Sequence, residues 1–152
     1  MTDLEKRITA LEDKFEIEQA LNRYVTGLDT RNVDLYLSAF DENAHLDMQS
    51  WGESTGIEAI KAGVYGTWEG FESTNHVAGN FTLLSYDGQE AKCRSIVISF
   101  AWMADKSPLL SYAAYNDTLR KKEDGTWVIC DRIFDTRFTG SPDSLWGLKK
   151  EE

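Results

Sequence analysis

The sequence VAGNFTLLSYDGQEAKCRSIVISFAWM, residues 77–103, decides the fold class. It is rich in β-branched and aromatic residues, which favour strands, and it predicts one strand over 77–86 and another over 91–103. Asp87-Gly88 lies between them and tolerates the positive φ that a tight hairpin turn requires. The stretch therefore predicts two long antiparallel strands joined by a short turn.

Two more strands are expected to extend this hairpin. The same composition recurs over 110–121 and 126–138, and a second hairpin dipeptide, Asp124-Gly125, lies between those segments. The connection around 105–108 supplies the remaining reversal of the chain. The second half of the sequence thus predicts a four-stranded antiparallel meander.

The residues before the meander begin with a pattern typical of a long amphipathic helix over 4–28. A capping box at Thr2-x-x-Glu5 is expected to start this helix, which should end near Gly27. Its apolar residues, at helical spacings, are Leu4, Ile8, Leu11, Phe15, Leu21, Tyr24, Val25 and Leu28.

Two further helices are predicted before the meander. Asn32 is expected to cap a short one with the apolar face Val33, Tyr36, Leu37 and Phe40. After a short strand over 44–48, a capping-box spacing at Thr55-x-x-Glu58 predicts a third helix through Ile57, Ile60 and Val64. Helices followed by a meander predict an α+β fold in which one face of the sheet packs on the helices.

Length and charge limit the classes of function. The 152-residue chain has room for one domain, which we assign to 1–140, followed by a surface tail over 141–152. Its net charge of −10 argues against a nucleic-acid partner, because Lys and Arg supply most of the affinity for phosphates. Since no apolar run approaches the roughly 18 residues that cross a bilayer and no signal-peptide layout is seen, we expect no membrane contact and a cytoplasmic location.

The cysteines and histidines do not form a metal-binding pattern. Cys93 and Cys130 lie in strand-like apolar stretches without Cys or His partners at metal-ligand spacing. We expect both to be reduced core thiols. Since no nucleotide-binding motif is present either, any chemistry is expected to proceed without a metal or cofactor.

The alternation of residues along the strands leaves a second apolar face on the predicted sheet. On the last strand, one parity is expected to face the helices: Val128, Cys130, Arg132 and Phe134. The other parity, with one face of a neighbouring strand, would then face outward: Trp127, Ile129, Ile133, Ile96, Ile98, Phe100 and Trp102. So much apolar surface predicts a homodimer or homotrimer formed through the outer face of the sheet.

Two residues are poorly explained by ordinary packing. His76 begins a strand where polar and small residues interrupt the expected core, and Asp29 lies at a helix C-terminus, where the macrodipole disfavours a carboxylate. A contact between them would explain both, because a carboxylate on one ring nitrogen fixes the tautomer and makes the other nitrogen a better general base. The alternatives are that His76 is a strand residue whose hydrogen bonds are satisfied by other groups and that Asp29 forms a turn. His45, which alternates with Asp47, is expected to face solvent or a helix end.

Five short motifs follow one another in order: Arg23-Tyr24-x3-Leu28-Asp29-x-Arg31-Asn32, Phe40-Asp41, Gly56-Ile57-Glu58-Ala59-Ile60, Thr74-Asn75-His76-x3-Asn80 and Asp124-Gly125-Thr126-Trp127-x4-Arg132. Together, over about residues 8–138, they resemble the SnoaL-like branch of the nuclear-transport-factor-2-like superfamily. The resemblance implies a cone-shaped, curved antiparallel sheet wrapped by three helices around a deep pocket, as in a cystatin-like α+β barrel.

Within that superfamily the chain looks most like scytalone dehydratase, bile acid 7α-dehydratase and hexachlorocyclohexane dehydrochlorinase. The resemblance implies that Asp29 and His76 are the pair that removes a proton in a β-elimination. It also places pocket residues at Tyr24 and Arg132. Tyr24 is then expected either to protonate a leaving hydroxide or to polarise a carbonyl, and Arg132 to bind a developing enolate or a substrate carboxylate. Which of the two acts as the acid stays open. A salt bridge from Arg132 to Asp131 or Asp135 is the alternative.

Several aromatic residues are placed where they could line the cone and bind a small, apolar, cyclic substrate: Trp51, Trp68, Phe71, Tyr112 and Tyr115. Core packing is the alternative for each. Because Tyr112 and Tyr115 have opposite parity, only one of them should face the pocket unless a bulge intervenes.

The sequence therefore predicts a cofactor-independent, dehydratase-type lyase acting on a small molecule. An isomerase of the ketosteroid type or a polyketide cyclase would use the same proton transfer and is an open alternative. A domain that binds or associates without turnover is another, and it predicts that Asp29 and His76 do not touch.

Overall fold

The computed structural model describes residues 1–146, which form helices on one face of a curved, unclosed sheet of six strands. The helices are α1 (Asp3–Asp29), α2 (Val33–Leu37), α3 (Ile57–Gly70) and α4 (Pro142–Trp146), with a 3₁₀ turn at Gln49–Trp51. The strands are β1 (Phe40–Asp47), β2 (Glu53–Thr55), β3 (Phe71–Tyr86), β4 (Glu90–Met103), β5 (Pro108–Lys121) and β6 (Trp127–Gly140). No helix in this range is long and apolar enough to cross a bilayer. The last residues of the predicted tail, 147–152, lie outside the described residues.

The predicted α+β class and the meander are confirmed. Strands β3 to β6 pair antiparallel in sequence order, and the sheet runs β2-β1-β6-β5-β4-β3. Gly88 and Gly125 occupy the tight turns with φ of 91° and 87°. Strand β1 pairs parallel to β6, which the sequence pattern did not predict.

The ends of several elements differ from the prediction. Strand β3 begins at Phe71 rather than at residue 77, because the polar stretch before Val77 pairs with β4 and turns alternate side chains inward. The capping box at Thr2 and Glu5 is present, but the one predicted at Thr55 is wrong. Thr55 ends β2, and Gly56 reverses the chain into α3 with a φ of 84°.

The single amphipathic face predicted for α1 is also corrected. The second half of α1 packs its apolar residues into the core, whereas those of the first half are exposed: Leu4, Ile8, Leu11 and Phe15. Helix α2 ends at Leu37, so Phe40 packs into the core from β1 rather than from the helix.

A β-bulge in β6 reverses the predicted inward and outward sides at the start of that strand. The β5–β6 register pairs Thr118 with Asp131 but Leu119 with Ile129, so Cys130 has no partner across the ladder. Trp127 and Ile129 therefore lie in the core rather than on the outer face. The cysteines are free thiols, with Cys93 buried and Cys130 half-buried.

The outer face of the sheet carries the exposed apolar surface that was predicted for the meander. Phe100 is 53% exposed and Trp102 49%. Five more large apolar residues are exposed on strands β3 to β6: Val77, Leu84, Ile98, Tyr112 and Ile133. A homodimer or homotrimer through this face stays a prediction.

Gly27 allows α1 and α2 to pack closely, because a Cβ at this position would lie 2.5 Å from the Cα of Tyr36. We expect Gly27→Ala to lower the free energy of unfolding by about 1–3 kcal/mol through overpacking. Gly66→Ala in α3, where a Cβ meets no atom within 4 Å, is the matched control and should raise it by about 0.5–1 kcal/mol. Urea unfolding measures both changes, and equal shifts in the same direction would contradict the close packing.

Candidate active site

A cavity of about 240 Å³ lies between the inner face of the sheet and helices α1, α2 and α3. Most of its lining residues are apolar or aromatic, and seven other polar side chains also line it: Glu53, Ser54, Thr67, Thr74, His76, Ser99 and Ser111. A cavity of about 150 Å³ is enough for benzene. The cavity therefore has the size for one substituted ring.

His76 lines the cavity, and its side chain is in contact with that of Asp29. Nδ1 of His76 lies 2.6 Å from Oδ1 of Asp29, and the backbone N–H of His76 donates to Oδ2 at 2.7 Å. The hydroxyl of Thr74 donates to Oδ1 at 2.9 Å. These three hydrogen bonds offset the unfavourable interaction of the Asp29 carboxylate with the helix macrodipole, and they hold the carboxylate in one orientation. The side chains are 11% exposed for His76 and 19% for Asp29.

The electrostatics of the pair favour a charged carboxylate. Burial raises the pKa of the Asp29 carboxyl, but the hydrogen bonds and charge of His76 and the hydroxyl of Thr74 outweigh burial, and the pKa is lowered. A carboxylate accepts, so Nδ1 of His76 carries the proton. Nε2 is the ring nitrogen left for a ligand in the cavity.

A row of hydroxyls continues from His76 across the inner face of the sheet. His76 is paired with Ser99 on β4, and Ser99 with Ser111 on β5; all three line the cavity. Ser111 shares a 3.1 Å hydrogen bond with Thr139. The sequence reasoning missed both serines. Each is a polar residue on the inward-facing side of a largely apolar strand. That feature identifies a site residue only when the strand register is known.

Tyr24 reaches the cavity from α1, five residues before Asp29, as the resemblance implies. It is buried, and its ring lies 5.5 Å edge-on from Tyr115 and 5.1 Å from Tyr36. Burial raises the pKa of Tyr24, so the phenol stays protonated and can donate a hydrogen bond at neutral pH. Tyr115 also lines the cavity, whereas Tyr112 lies on the outer face.

Arg132 lies behind this aromatic wall and is not among the residues that line the cavity. Its guanidinium carbon is 4.1 Å from the ring centroids of both Tyr24 and Tyr115. It donates to the two oxygens of Asp117 at 2.6 and 2.9 Å, and both side chains are 0% exposed. Burial lowers the pKa of Arg132, but the charge of Asp117 outweighs burial and holds it above its ordinary value. Arg132 thus forms the salt bridge that was its alternative role, but with Asp117 rather than with Asp131 or Asp135.

The remaining predicted substrate-binding aromatics divide between cavity and core. Trp51 and Phe71 line the cavity, with ring centroids 5.9 Å apart. Trp68 is not brought to the cavity wall. It packs against the core and donates its ring N–H to the carbonyl of Leu28 at 2.9 Å.

His45 connects three strands outside the cavity. Nδ1 lies 2.7 Å from Asp131 on β6, and Nε2 lies 2.7 Å from Glu53 on β2. The hydrogen bond to Asp131 and, to a smaller extent, the hydrogen bond to Glu53 raise the pKa of His45. The contacts indicate a role in holding β2 against the sheet.

Residues 9–133 match the family described as a SnoaL-like domain. A solved structure named as a candidate scytalone dehydratase, from Novosphingobium aromaticivorans, has a TM-score of 0.81 at 24% identity, covering 89% of this chain and 91% of that one. A hexachlorocyclohexane dehydrochlorinase from Novosphingobium barchaimii has a TM-score of 0.82 at 15% identity, covering 88% and 92%. A protein of unknown function with a cystatin-like fold, from Nostoc punctiforme, has a TM-score of 0.71 at 23% identity, covering 85% and 93%. The TM-scores, at identities below 25%, show a shared fold. No curated protein matches the sequence.

Proposed function

The chain belongs to the SnoaL-like family, and we propose that it is a lyase that carries out a dehydratase-type β-elimination on a small cyclic substrate. One observation carries the proposal: Nδ1 of His76 is held 2.6 Å from the Asp29 carboxylate in the wall of an apolar cavity. Two structural neighbours bear the names of a dehydratase and a dehydrochlorinase, both of which describe eliminations.

The proton is removed by His76. Nε2 accepts a proton from the carbon next to an electron-withdrawing group, and the C–H electron pair becomes the new C=C bond. The leaving group departs from the adjacent carbon with its own bonding pair. Asp29 stabilises the imidazolium that forms and keeps Nε2 directed at the substrate. General-base catalysis of this kind contributes about 10²–10⁴ in rate.

Tyr24 is the proposed general acid. Its protonated phenol lines the same cavity, so it can donate a proton to a departing hydroxide. The guanidinium of Arg132, 4.1 Å from the Tyr24 ring, stabilises the negative charge that develops on the phenol. Arg132 therefore acts through Tyr24 rather than by touching the substrate, which differs from the role implied by the resemblance.

The walls of the cavity favour a single-ring substrate. Trp51 and Phe71 offer flat apolar surfaces, while Ser99 and Ser111 offer hydroxyls to a carbonyl or hydroxyl of the ring. The volume of about 240 Å³ favours a six-membered ring with substituents over a fused polycycle.

The experiment that tests this function uses two single-ring probes in deuterated water, a 3-hydroxycyclohexanone and a chlorinated cyclohexane. We expect the cyclic enone from the first or chloride from the second, at a rate above buffer alone. Deuterium incorporation without loss of a group would instead indicate an isomerase. Saturable binding of the probes with neither outcome would contradict catalysis and favour the binding domain.

A further inference from the structure

The first turns of α1 extend beyond the rest of the domain. All residues from Met1 to Ile8 are exposed, and α1 first becomes buried at Asp13. The residues matched by the family begin at residue 9, so this extension largely precedes the shared domain. Its apolar residues are Leu4, Ile8, Leu11 and Phe15, between 46% and 68% exposed.

Asp13 fixes which side of α1 faces the domain. Its carboxylate accepts hydrogen bonds from Tyr86 at 2.6 Å and from the ring N–H of Trp127 at 3.0 Å, and it pairs with Lys121 at 2.6 Å. At about 100° per residue, the apolar stripe lies roughly 180° around the helix from Asp13 and the buried positions that follow it. The stripe therefore lies on the side of α1 away from the core, and only Leu11 and Phe15 border an open surface pocket beside the turn at 124–126.

The spacing within the stripe is that of a coiled-coil seam. Leu4, Ile8, Leu11 and Phe15 on α1 are separated by 4, 3 and 4 residues, which places them at alternating d and a positions of a heptad. The e positions are then acidic and the g positions basic: Glu5 and Glu12 at e, Arg7 and Lys14 at g. Such flanking charges set the partner and orientation of a coiled coil.

We propose that this stripe is a self-association surface, on which α1 of a second copy packs in parallel. In a parallel pair, the g residue of one heptad faces the e residue of the next heptad on the other helix, so Arg7 of one protomer meets the partner's Glu12 on both sides of the seam. An antiparallel pair would bring g to g and e to e, placing Arg7 near the partner's Lys14. The charges thus select the parallel arrangement.

Two features make a short seam sufficient for two strands. Ile8 at a, with Leu4 and Leu11 at d, is the combination that favours a dimer. An isolated helix as short as the segment that carries the seam is only marginally stable, because helix nucleation is unfavourable. Here the seam continues a 27-residue helix whose second half is packed on the domain, so the nucleus is already formed.

Sedimentation equilibrium of the full chain tests the proposal with a charge swap. We expect Arg7→Glu and Glu12→Arg each to raise the dissociation constant about tenfold, because each replaces attraction by repulsion at both pairs. The double variant should return to the parent value, and mixing the two single variants should produce a heterodimer. Leu11→Lys should weaken association more than either, and circular dichroism checks that it stays folded.

Three results would overturn the proposal. The parent chain could be a monomer at all concentrations. The dissociation constant could be unchanged in Leu11→Lys, which would place any association on another surface such as the outer face of the sheet. Arg7→Glu could tighten association, which would indicate the antiparallel arrangement.

Discussion

His76→Gln is expected to lower kcat/KM for the elimination by about 10²–10⁴, the contribution of a positioned general base. Glutamine has a similar reach but cannot accept the proton. His45→Gln is the matched control: it makes the same exchange at a histidine held by two carboxylates outside the cavity. Rates are measured on whichever probe is turned over, and a His76 variant that retains activity would contradict the assignment of the base.

Asp29→Asn should reduce the rate within the same range while preserving the shape of the site. The amide can direct its NH2 group at Nδ1, which then accepts, so the proton moves to Nε2 and the base is blocked. Binding of a substrate-sized inhibitor should change little, because Asp29 contacts His76 and Thr74 rather than the cavity. An equal loss of binding and rate would indicate a structural role instead.

Asp117→Ala is expected to have the largest effect on stability. It leaves the Arg132 guanidinium buried at 0% exposure without a counter-charge, and breaking a buried pair in this way costs about 3–5 kcal/mol. That is a large share of the roughly 5–15 kcal/mol that stabilises a domain. Urea unfolding monitored by tryptophan fluorescence measures the loss.

The control for this prediction removes both charges. Asp117→Leu combined with Arg132→Met should be less destabilising than Asp117→Ala alone, because no charge is left unpaired in the core. The double variant should still lose activity, since the guanidinium no longer lies against Tyr24. A loss below about 1 kcal/mol for Asp117→Ala would show that the pair is not electrostatically coupled.

Local patterns were sufficient to predict the meander, whereas they left the Asp29–His76 contact as one of two interpretations, which the family resemblance then favoured. Turn dipeptides and strand composition act over a few residues, so Gly88 and Gly125 could be placed directly. Asp29 and His76 stood out because each was unfavourable where it lay, and the structure resolves both features through one contact.

Features that depend on strand register could not be predicted in this way. The bulge at Cys130 moves Trp127 and Ile129 to the opposite side, and nothing local to these residues signals it. The same holds for the Arg132–Asp117 pair, since Asp117 becomes its neighbour only through the pairing of β5 with β6. A one-residue shift in register changes every such contact.

Periodicity also could not distinguish two uses of one helix. Helical spacing placed Leu4 and Ile8 with Leu21 on one predicted face, although the two groups lie on opposite sides of α1. An apolar stripe on a helix indicates that another surface packs against it. Whether that surface belongs to the same domain or to another molecule depends on the tertiary structure, which periodicity does not contain.

The most direct test of the central claim is the tautomer of His76, read from the ¹⁵N shifts of its ring in the neutral form. It needs no substrate, and His45→Gln assigns the signals. We predict the proton on Nδ1 in the parent chain, with Nε2 unprotonated, and a shift of the proton toward Nε2 in Asp29→Asn. A parent ring protonated on Nε2, unchanged by Asp29→Asn, would show that the carboxylate does not prepare His76 as a base.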